Sequence, residues 1–292
     1  MLTPQPQAKK LAQAIGLNTG LYLKREDLHP HGSHKGRSIP VMIAKYAKSG
    51  ALNFCISSSG NAAISAAITI NEYNDKHKST PLSLIIFVGK KINSQKLTVI
   101  KKLLNKNVSL QKVVNPKQTA FQMEKSGLIK NLRQSTDDTA LLGYADLAKE
   151  LAKIKNLSAV FIPTSSGSTA QALYIEFRKL KLSPQIHIVQ TEACHPIAAA
   201  LGLAMTEKTS IAGAIVDKVA HRKEKVVSAL KVSKGNAWVC GNKEIKSAMA
   251  LTKKTEKIII SPNSALAVAG LAQAIKNKWV FSGPVVCILT GR

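Results

Sequence analysis

The chain of 292 residues is 45% hydrophobic and 20% charged, which is typical of a globular protein and excludes a disordered one. Only 4% of the residues are aromatic, so the core must consist of Ala, Ile, Leu and Val, as in parallel sheets covered by helices. The net charge of +26 comes from lysines spread along the chain without a basic tail, so we interpret it as a solvated surface and expect no nucleic-acid partner.

Short apolar runs alternate with helical patterns along the chain. Buried strands are predicted for residues 52–57, 82–88, 108–113, 159–163, 186–191, 237–240 and 285–289. Helices are predicted for residues 39–48, 62–73, 139–155, 169–180 and 265–276. Because strands and helices alternate, the sequence predicts an α/β fold whose sheets are mostly parallel.

The cysteines and the N-terminus bear on the cellular compartment. Cys55, Cys194, Cys240 and Cys287 stand singly in apolar stretches, so we interpret them as small buried hydrophobic residues in a reducing compartment. Their spacing predicts neither a disulfide nor a metal site. Residues 1–6 lack the pattern of a signal peptide, and no apolar run is long enough to span a membrane. We therefore expect a cytoplasmic protein without membrane contact.

Two loops follow predicted strands and open predicted helices. They are Ser57-Ser58-Ser59-Gly60-Asn61 and Thr164-Ser165-Ser166-Gly167-Ser168-Thr169. Both combine small hydroxyl side chains, a glycine and the backbone N–H groups of a helix start, as an anion-binding loop requires. Each loop would also serve as an ordinary helix cap, so neither identifies a site by itself.

A lysine flanked by glycines lies shortly before the first predicted helix. The segment from Gly32 to Arg37 would hold the amine of Lys35 partly desolvated and near the positive end of a helix. Both effects favour a neutral amine, which is a nucleophile that can form an imine with a carbonyl group. An ordinary surface lysine is the alternative interpretation.

These motifs, with Leu289-Thr290-Gly291 near the C-terminus, occur together in one enzyme family. The chain resembles the fold-type II enzymes that depend on pyridoxal 5′-phosphate (PLP), the superfamily of tryptophan synthase β-chain, threonine synthase and cysteine synthase. The resemblance extends over nearly the whole chain and includes residues 23–28, which precede the lysine segment. It implies a two-lobed α/β enzyme with mostly parallel sheets, a smaller lobe of residues 36–134, and a larger PLP-binding lobe of residues 1–35 and 135–292.

The resemblance implies that Lys35 carries the cofactor as a Schiff base. The same lysine would then act as the general base and general acid of the reaction. The substrate carboxylate would be bound by the loop of Ser58, Ser59, Gly60 and Asn61. Asn61 would also lie beside the 3′-oxygen of the cofactor.

The resemblance also implies contacts to the phosphate and to the ring of PLP. The phosphate would be bound by Ser165, Ser166, Gly167, Ser168 and Thr169. The hydroxyl of Thr290 would meet the pyridine nitrogen. His34 resembles the histidine that approaches the phosphate in tryptophan synthase β-chain, and a loop residue facing solvent is the alternative.

The nearest resemblance within the superfamily is to threonine synthases. It rests on residues 189–197, 210–212 and 223–235. The implied reaction is an elimination or replacement at the β- or γ-carbon of an amino acid, with conversion of O-phosphohomoserine to threonine as the first interpretation. A serine/threonine dehydratase and a cysteine synthase-like enzyme stay open, and a homodimer is implied.

Several positions depart from the family pattern. Gly36 stands where Asp is usual, Ser261 stands where Glu precedes the proline, and His221 and Arg222 stand where Pro is usual. Relatives continue where this chain ends at Arg292, so we expect no contribution to the site from a longer C-terminus. These departures and the net charge of +26 keep one rival open, a PLP-fold protein that has lost catalysis and acts as a basic binding module.

Overall fold

The computed structural model describes residues 2–90, 94–204 and 209–292, without the side chains of residues 94–96. The strands are β1 (Leu21–Lys24), β2 (Asn53–Ser57), β3 (Ser83–Gly89), β4 (Val108–Val113), β5 (Lys130–Asn131), β6 (Ala159–Pro163), β7 (Gln185–Thr191), β8 (Ala237–Cys240) and β9 (Val285–Ile288). The helices are α1 (Lys9–Ala14), α2 (Lys35–Lys48), α3 (Asn61–Lys76), α4 (Ser94–Lys101), α5 (Pro116–Lys125), α6 (Thr139–Leu142), α7 (Ala145–Leu151), α8 (Ser168–Lys179), α9 (Pro196–Ala199), α10 (Lys223–Val232), α11 (Asn242–Glu256) and α12 (Pro262–Lys276). A short 3-10 helix, Glu26–Leu28, follows β1.

The chain divides into two compact units. The larger unit consists of Met1–His29 and Tyr144–Arg292, and the smaller unit is Pro30–Gly143. The sequence places the smaller lobe at residues 36–134, so the observed borders lie outside the predicted ones on both sides. The difference arises because α2 begins at Lys35 and packs against both α3 and α6. Lys35 therefore belongs to the smaller unit rather than to the larger lobe.

The larger unit is built on a sheet of parallel strands in the order β1-β9-β6-β7-β8. Strand β9 lies between β1 and β6, with Cys287 in register with Leu23 on one side and with Phe161 on the other. All residues of β6 and β9 are buried, which explains why both appear in the sequence as continuous apolar runs. Helix α12, whose middle from Ser264 to Leu271 is buried throughout, packs across β6, β7 and β8.

The smaller unit has its own parallel sheet, in the order β4-β3-β2-β5. Helices α3 and α5 pack on its strands, and α2 packs on α3. The core is aliphatic, with small residues of α3 such as Ala63, Ala66 and Ala67 next to larger ones such as Ile39 and Ile86. The predicted α/β fold with parallel sheets covered by helices is confirmed in both units.

One predicted helix is interrupted. The pattern at residues 139–155 predicts a single helix, but α6 ends at Leu142 and α7 begins at Ala145. Gly143 lies so close to α2 that a Cβ atom there would come within 2.2 Å of the carbonyl oxygen of Arg37. This close approach occurs where the chain passes from the smaller to the larger unit, so the prediction of one continuous helix is wrong.

The four cysteines are buried and form no disulfide. Burial raises the pKa of the Cys55 and Cys240 thiols to about 12, so both thiols stay protonated and unreactive at neutral pH. Among the described residues, no group of three or more His, Cys, Asp or Glu side chains is arranged to hold a metal ion. No helix in the described ranges is long and apolar enough to cross a membrane.

A buried ion pair fixes β1 and the N-terminal segment within the larger unit. The ammonium of Lys24 is fully buried and donates to the carboxylate of Glu150 on α7. It also donates to the carbonyl oxygen of Thr3 at 2.7 Å and to Oε1 of Gln5 at 3.3 Å. These partners belong to the N-terminal segment and to α7. Lys24 therefore connects the N-terminal segment and α7 to the edge strand β1.

Replacing Lys24 with Met should lower the free energy of unfolding by about 3–5 kcal/mol, because the Glu150 carboxylate would stay buried without its cation. The double variant Lys24→Met/Glu150→Leu should recover most of that loss, since an apolar pair of similar volume leaves no buried charge. Urea unfolding followed by circular dichroism measures both values.

Lys149→Ala is the matched control for this prediction. Lys149 pairs with Asp146 at 3.3 Å on the same helix, but both side chains are exposed. Exposed pairs of this kind contribute little, so the expected change is below about 0.5 kcal/mol. Equal losses in Lys24→Met and Lys149→Ala would show that the buried pair does not stabilise the fold.

Candidate active site

Lys35 is the first residue of α2 in the smaller unit. Its side chain is half-buried, and its backbone N–H donates to the hydroxyl of the fully buried Ser33 at 3.3 Å. Within the described part of the chain, no hydrogen bond or ion pair engages the Lys35 ammonium. The amine can therefore react with a ligand without first breaking a contact to the protein. His34 directly precedes the helix and is half-buried.

The loop of Ser58, Ser59 and Gly60 connects the end of β2 to the start of α3 at Asn61. The hydroxyl of Ser58 accepts a hydrogen bond from the N–H of Gly60 at 3.2 Å, which folds the loop onto itself. The first N–H groups of α3 have no acceptor within the helix and point out of its N-terminal end. Such a helix start binds anions, as expected of a loop that holds a carboxylate.

Ser65 connects the lysine segment to α3, and no pattern in the sequence indicates this role. Its hydroxyl donates to the carbonyl oxygen of Lys35 at 3.3 Å and lies 2.9 Å from Nδ1 of His31. Ser65 comes four residues after Asn61, so both side chains lie on the same face of α3. The structure thus brings Lys35 and Asn61 to the same side of this helix.

The second predicted loop lies in the larger unit, between β6 and α8. Thr164 uses its hydroxyl internally, donating to the carbonyl oxygen of Ile162 at 2.8 Å. The hydroxyls of Ser166 and Ser168 lie 3.1 Å apart and are hydrogen-bonded to each other. Helix α8 starts at Ser168, and its first N–H groups, including that of Thr169, have no acceptor within the helix.

The hydroxyl of Ser165 is oriented by the backbone of another segment. Its oxygen accepts hydrogen bonds from the N–H groups of Val216 at 3.1 Å and Asp217 at 3.2 Å. Both lone pairs are then occupied, and the hydroxyl proton has no acceptor among the described residues. Ser165 is therefore set to donate a hydrogen bond, which is the role that phosphate binding requires.

Gly167 is the position in this loop that requires glycine. Its φ of +92° lies in the left-handed region that favours glycine. A Cβ atom there would also lie 2.7 Å from Cγ2 of Val226 and 3.5 Å from Cβ of Arg222. The loop thus packs tightly against the start of α10.

Thr290 follows β9, and the position of the strand end is fixed by α12. Since β9 pairs with β6 in parallel, Thr290 lies at the same edge of the sheet as the loop after β6. The carbonyl oxygen of the next residue, Gly291, accepts hydrogen bonds from Ser261 at 2.6 Å and from Ser264 at 2.8 Å. Ser261, which stands where relatives have Glu, therefore holds the end of this strand.

The residue types fit PLP, which carries an aldehyde and a dianionic phosphate. Lys35 offers a primary amine that hydrogen bonds of the described residues leave unengaged, and a phosphate requires the hydroxyl and backbone donors that the loop from Ser165 to Thr169 presents. The candidate site residues come from both units. The smaller unit contains His34, Lys35 and the Ser58–Asn61 loop, and the larger unit contains the Ser165–Thr169 loop and Thr290.

Comparison with known proteins agrees with this chemistry. A family model described as "pyridoxal-phosphate dependent enzyme" matches residues 2–291. The threonine synthase of Methanosarcina acetivorans is 27% identical over 307 residues, which cover 99% of this chain and 74% of that protein. The human L-serine dehydratase/L-threonine deaminase is 28% identical over 155 residues, which cover 51% of this chain and 43% of that protein. The processed form of threonine deaminase isoform 2 from Solanum lycopersicum has a TM-score of 0.82 at 18% identity, over 99% of this chain and 83% of that one.

The structural likeness at 18% identity shows a shared fold. The family match covers every residue that the sequence assigns to the site, and it confirms the resemblance to PLP enzymes. The chain therefore belongs to the family of pyridoxal-phosphate dependent enzymes.

Proposed function

We propose that this enzyme uses PLP bound to Lys35 for an elimination or replacement on an amino acid, and that conversion of O-phosphohomoserine to threonine is the first reaction to test. The observation that carries the proposal is the position of Lys35, a half-buried residue at a helix start whose ammonium has no ion-pair partner among the described residues. When bound, PLP withdraws electrons from the α-carbon of the amino acid and stabilises the negative charge that forms there.

Lys35 moves the protons of this reaction. Its Nζ removes the proton from the α-carbon of the substrate and later returns a proton to the product. The hydroxyls of Ser58 and Ser59 and the N-terminal N–H groups of α3 bind the substrate carboxylate. The side chain of Asn61, the first residue of that helix, would contact the 3′-oxygen of bound PLP and the substrate.

Backbone dipoles and hydroxyls bind the phosphate of PLP. The N-terminus of α8 provides N–H groups and the positive end of a helix dipole, and Ser165, Ser166, Ser168 and Thr169 provide hydroxyls. His34 is the further phosphate contact that the sequence predicts. These donors bind a dianion without a formal charge on the loop itself.

Thr290 favours elimination and replacement over transamination. A threonine hydroxyl is neutral, so it gives no ionic support to a protonated pyridine nitrogen. A neutral partner at that nitrogen would make bound PLP a weaker electron acceptor, which would disfavour reactions that need long-lived negative charge on the α-carbon. Loss of a leaving group from the β-carbon would remove that charge directly, whereas loss from the γ-carbon would first require a base to remove a proton from the β-carbon.

The extent of the similarities supports threonine synthase chemistry before dehydratase chemistry. Similarity to a threonine synthase extends over 99% of the chain, whereas similarity to the human dehydratase extends over 51%. The net charge of +26 would also attract a phosphorylated, anionic substrate. A homodimer in the cytoplasm stays a prediction of the sequence resemblance.

Borohydride reduction in the presence of PLP should fix the cofactor covalently to Lys35. Peptide mass spectrometry should find the label on the peptide that contains Gly32–Arg37. Lys35→Ala should still bind PLP but should give no covalent label. Lys45→Ala on the same helix is the matched control and should be labelled like the wild type. A label on Lys24 or on any lysine other than Lys35 would contradict the assignment.

Gly167→Ala should weaken PLP binding by roughly tenfold or more, because the new methyl group both strains the backbone and pushes the loop away from Val226. Gly202→Ala is the control, since Gly202 has the same φ of +92° but no atom within 4 Å of the new Cβ. Its PLP affinity should stay within about twofold of the wild type. Fluorescence titration of the apoenzyme with PLP measures both, and equal affinities in the two variants would argue against the loop as the phosphate site.

A substrate panel distinguishes the candidate reactions. The PLP-loaded enzyme is incubated with O-phosphohomoserine, with serine or threonine, and with O-acetylserine plus sulfide. Threonine and phosphate should form from the first substrate. Ammonia and a 2-oxo acid would instead identify a dehydratase, and cysteine would identify a cysteine synthase-like enzyme. No product from any of them, with PLP fully attached to Lys35, would favour the rival protein that has lost catalysis.

A further inference from the structure

We propose that His31 and Ser65 form a clamp on the backbone of Lys35, and that this clamp fixes the distance between the reactive lysine and Asn61. The clamp is defined as the His31 imidazole, the Ser65 hydroxyl and the Lys35 carbonyl oxygen. This inference rests on the proposed role of Lys35 as the cofactor lysine. His31 and Ser65 are positioning residues, since neither needs to touch the cofactor or the substrate.

The clamp is a pair of contacts to one fully buried hydroxyl. The oxygen of Ser65 lies 2.9 Å from Nδ1 of His31, and its proton is donated to the carbonyl oxygen of Lys35 at 3.3 Å. His31 is four residues before Lys35 and is itself buried. The lysine segment is therefore attached to α3 at two points. One is the backbone carbonyl of Lys35, and the other is the side chain of His31, four residues earlier.

The donors and acceptors of the clamp fix the tautomer of His31. A serine hydroxyl has a single proton, and in Ser65 this proton is used on the Lys35 carbonyl. The hydroxyl oxygen must then accept, so Nδ1 of His31 carries a proton and donates it to Ser65. Burial lowers the pKa of His31, and the Glu72 carboxylate opposes that shift. In this tautomer Nδ1 carries the proton, and it keeps that proton when Nε2 is protonated as well, so the clamp holds in the neutral and in the charged imidazole.

The clamp couples the lysine to Asn61 through the geometry of one helix. Asn61, Ser65 and Glu72 are separated by four and seven residues, so they follow one face of α3. The face begins at the helix start with Asn61, continues with the clamp serine, and ends with Glu72, whose Oε2 lies 3.8 Å from Nε2 of His31. A rigid helix thus carries both the group proposed to contact the cofactor ring and the group that holds the lysine backbone.

The expected consequence concerns reaction geometry rather than binding. A displacement of about 1 Å in a reacting group slows a reaction by about a hundredfold. Loss of the clamp allows the start of α2 to move relative to α3, so Lys35 Nζ meets the cofactor aldehyde and the substrate α-carbon less often in the productive position. PLP affinity depends mainly on the phosphate loop of the larger unit and should change little.

The test measures how fast PLP becomes attached to Lys35. Apoenzyme is mixed with PLP, samples are reduced with borohydride at intervals, and the label on Lys35 is quantified by mass spectrometry. Ser65→Ala and His31→Leu remove the clamp and should slow attachment roughly tenfold to a hundredfold, with kcat lowered and KM nearly unchanged. His31→Asn keeps an N–H donor at the position of Nδ1 and should recover most of the rate. Glu72→Gln, on the same helix face but 61% exposed, should behave like the wild type.

The outcomes separate the clamp from the proposed function. Wild-type rates in both Ser65→Ala and His31→Leu would overturn the clamp while leaving Lys35 as the cofactor lysine. A wild-type label on another lysine, or no label, would overturn the proposed function and the clamp together. If Ser65→Ala does not fold, as judged by urea unfolding, the comparison of His31→Leu with His31→Asn decides. A merely structural role would lower the stability of both histidine variants without separating their attachment rates.

Discussion

Parallel strand pairing is the constraint on which the rest of this structure depends. In a parallel sheet every strand ends at the same edge, so the loops that follow neighbouring strands are brought side by side without any specific contact between them. In the larger unit this places Thr290 next to the loop after β6. In the smaller unit the same geometry puts the loop of Ser58–Gly60 at the end of β2, where α3 begins. The proposed binding of PLP and substrate then requires only hydrogen-bond donors at these loop positions.

The loop proposed to bind the phosphate of PLP carries no cationic side chain of its own. Its six residues, 164–169, contain no lysine or arginine, although the chain has a net charge of +26. Donors come instead from backbone N–H groups at the start of α8 and from hydroxyls such as that of Ser165, which the backbone of Val216 and Asp217 orients. Fixed dipoles of this kind bind an anion with little reorganisation, whereas surface lysines act at longer range and are screened by salt.

Local patterns in the sequence predicted seven of the nine strands among the described residues, but contacts between distant residues have no local pattern. The runs at residues 159–163 and 237–240 have the predicted bounds, because buried parallel strands are continuous apolar runs. The run at residues 108–113 also has its predicted bounds, but the prediction that it is buried is wrong, since β4 lies at the edge of its sheet and only Val108 is buried. The bond from Ser65 to Lys35 and the approach of Gly143 to Arg37 depend on how helices pack, and neither has a periodic signal. Strand β1 was missed because its four residues include Lys24, whose burial depends on Glu150 far along the chain.

The place of β1 in the sheet has a consequence for the order of folding. The neighbour of β1 is β9, and Leu21 is in register with Val285, near the other end of the sequence. During synthesis β1 can therefore pair with its neighbour only after β9 has been made. Closing the long loop between these two strands is slow. The smaller unit, Pro30–Gly143, is one continuous stretch and can complete its sheet while the rest is still being synthesised. The nascent chain would thus leave its N-terminal strand unpaired for most of its synthesis.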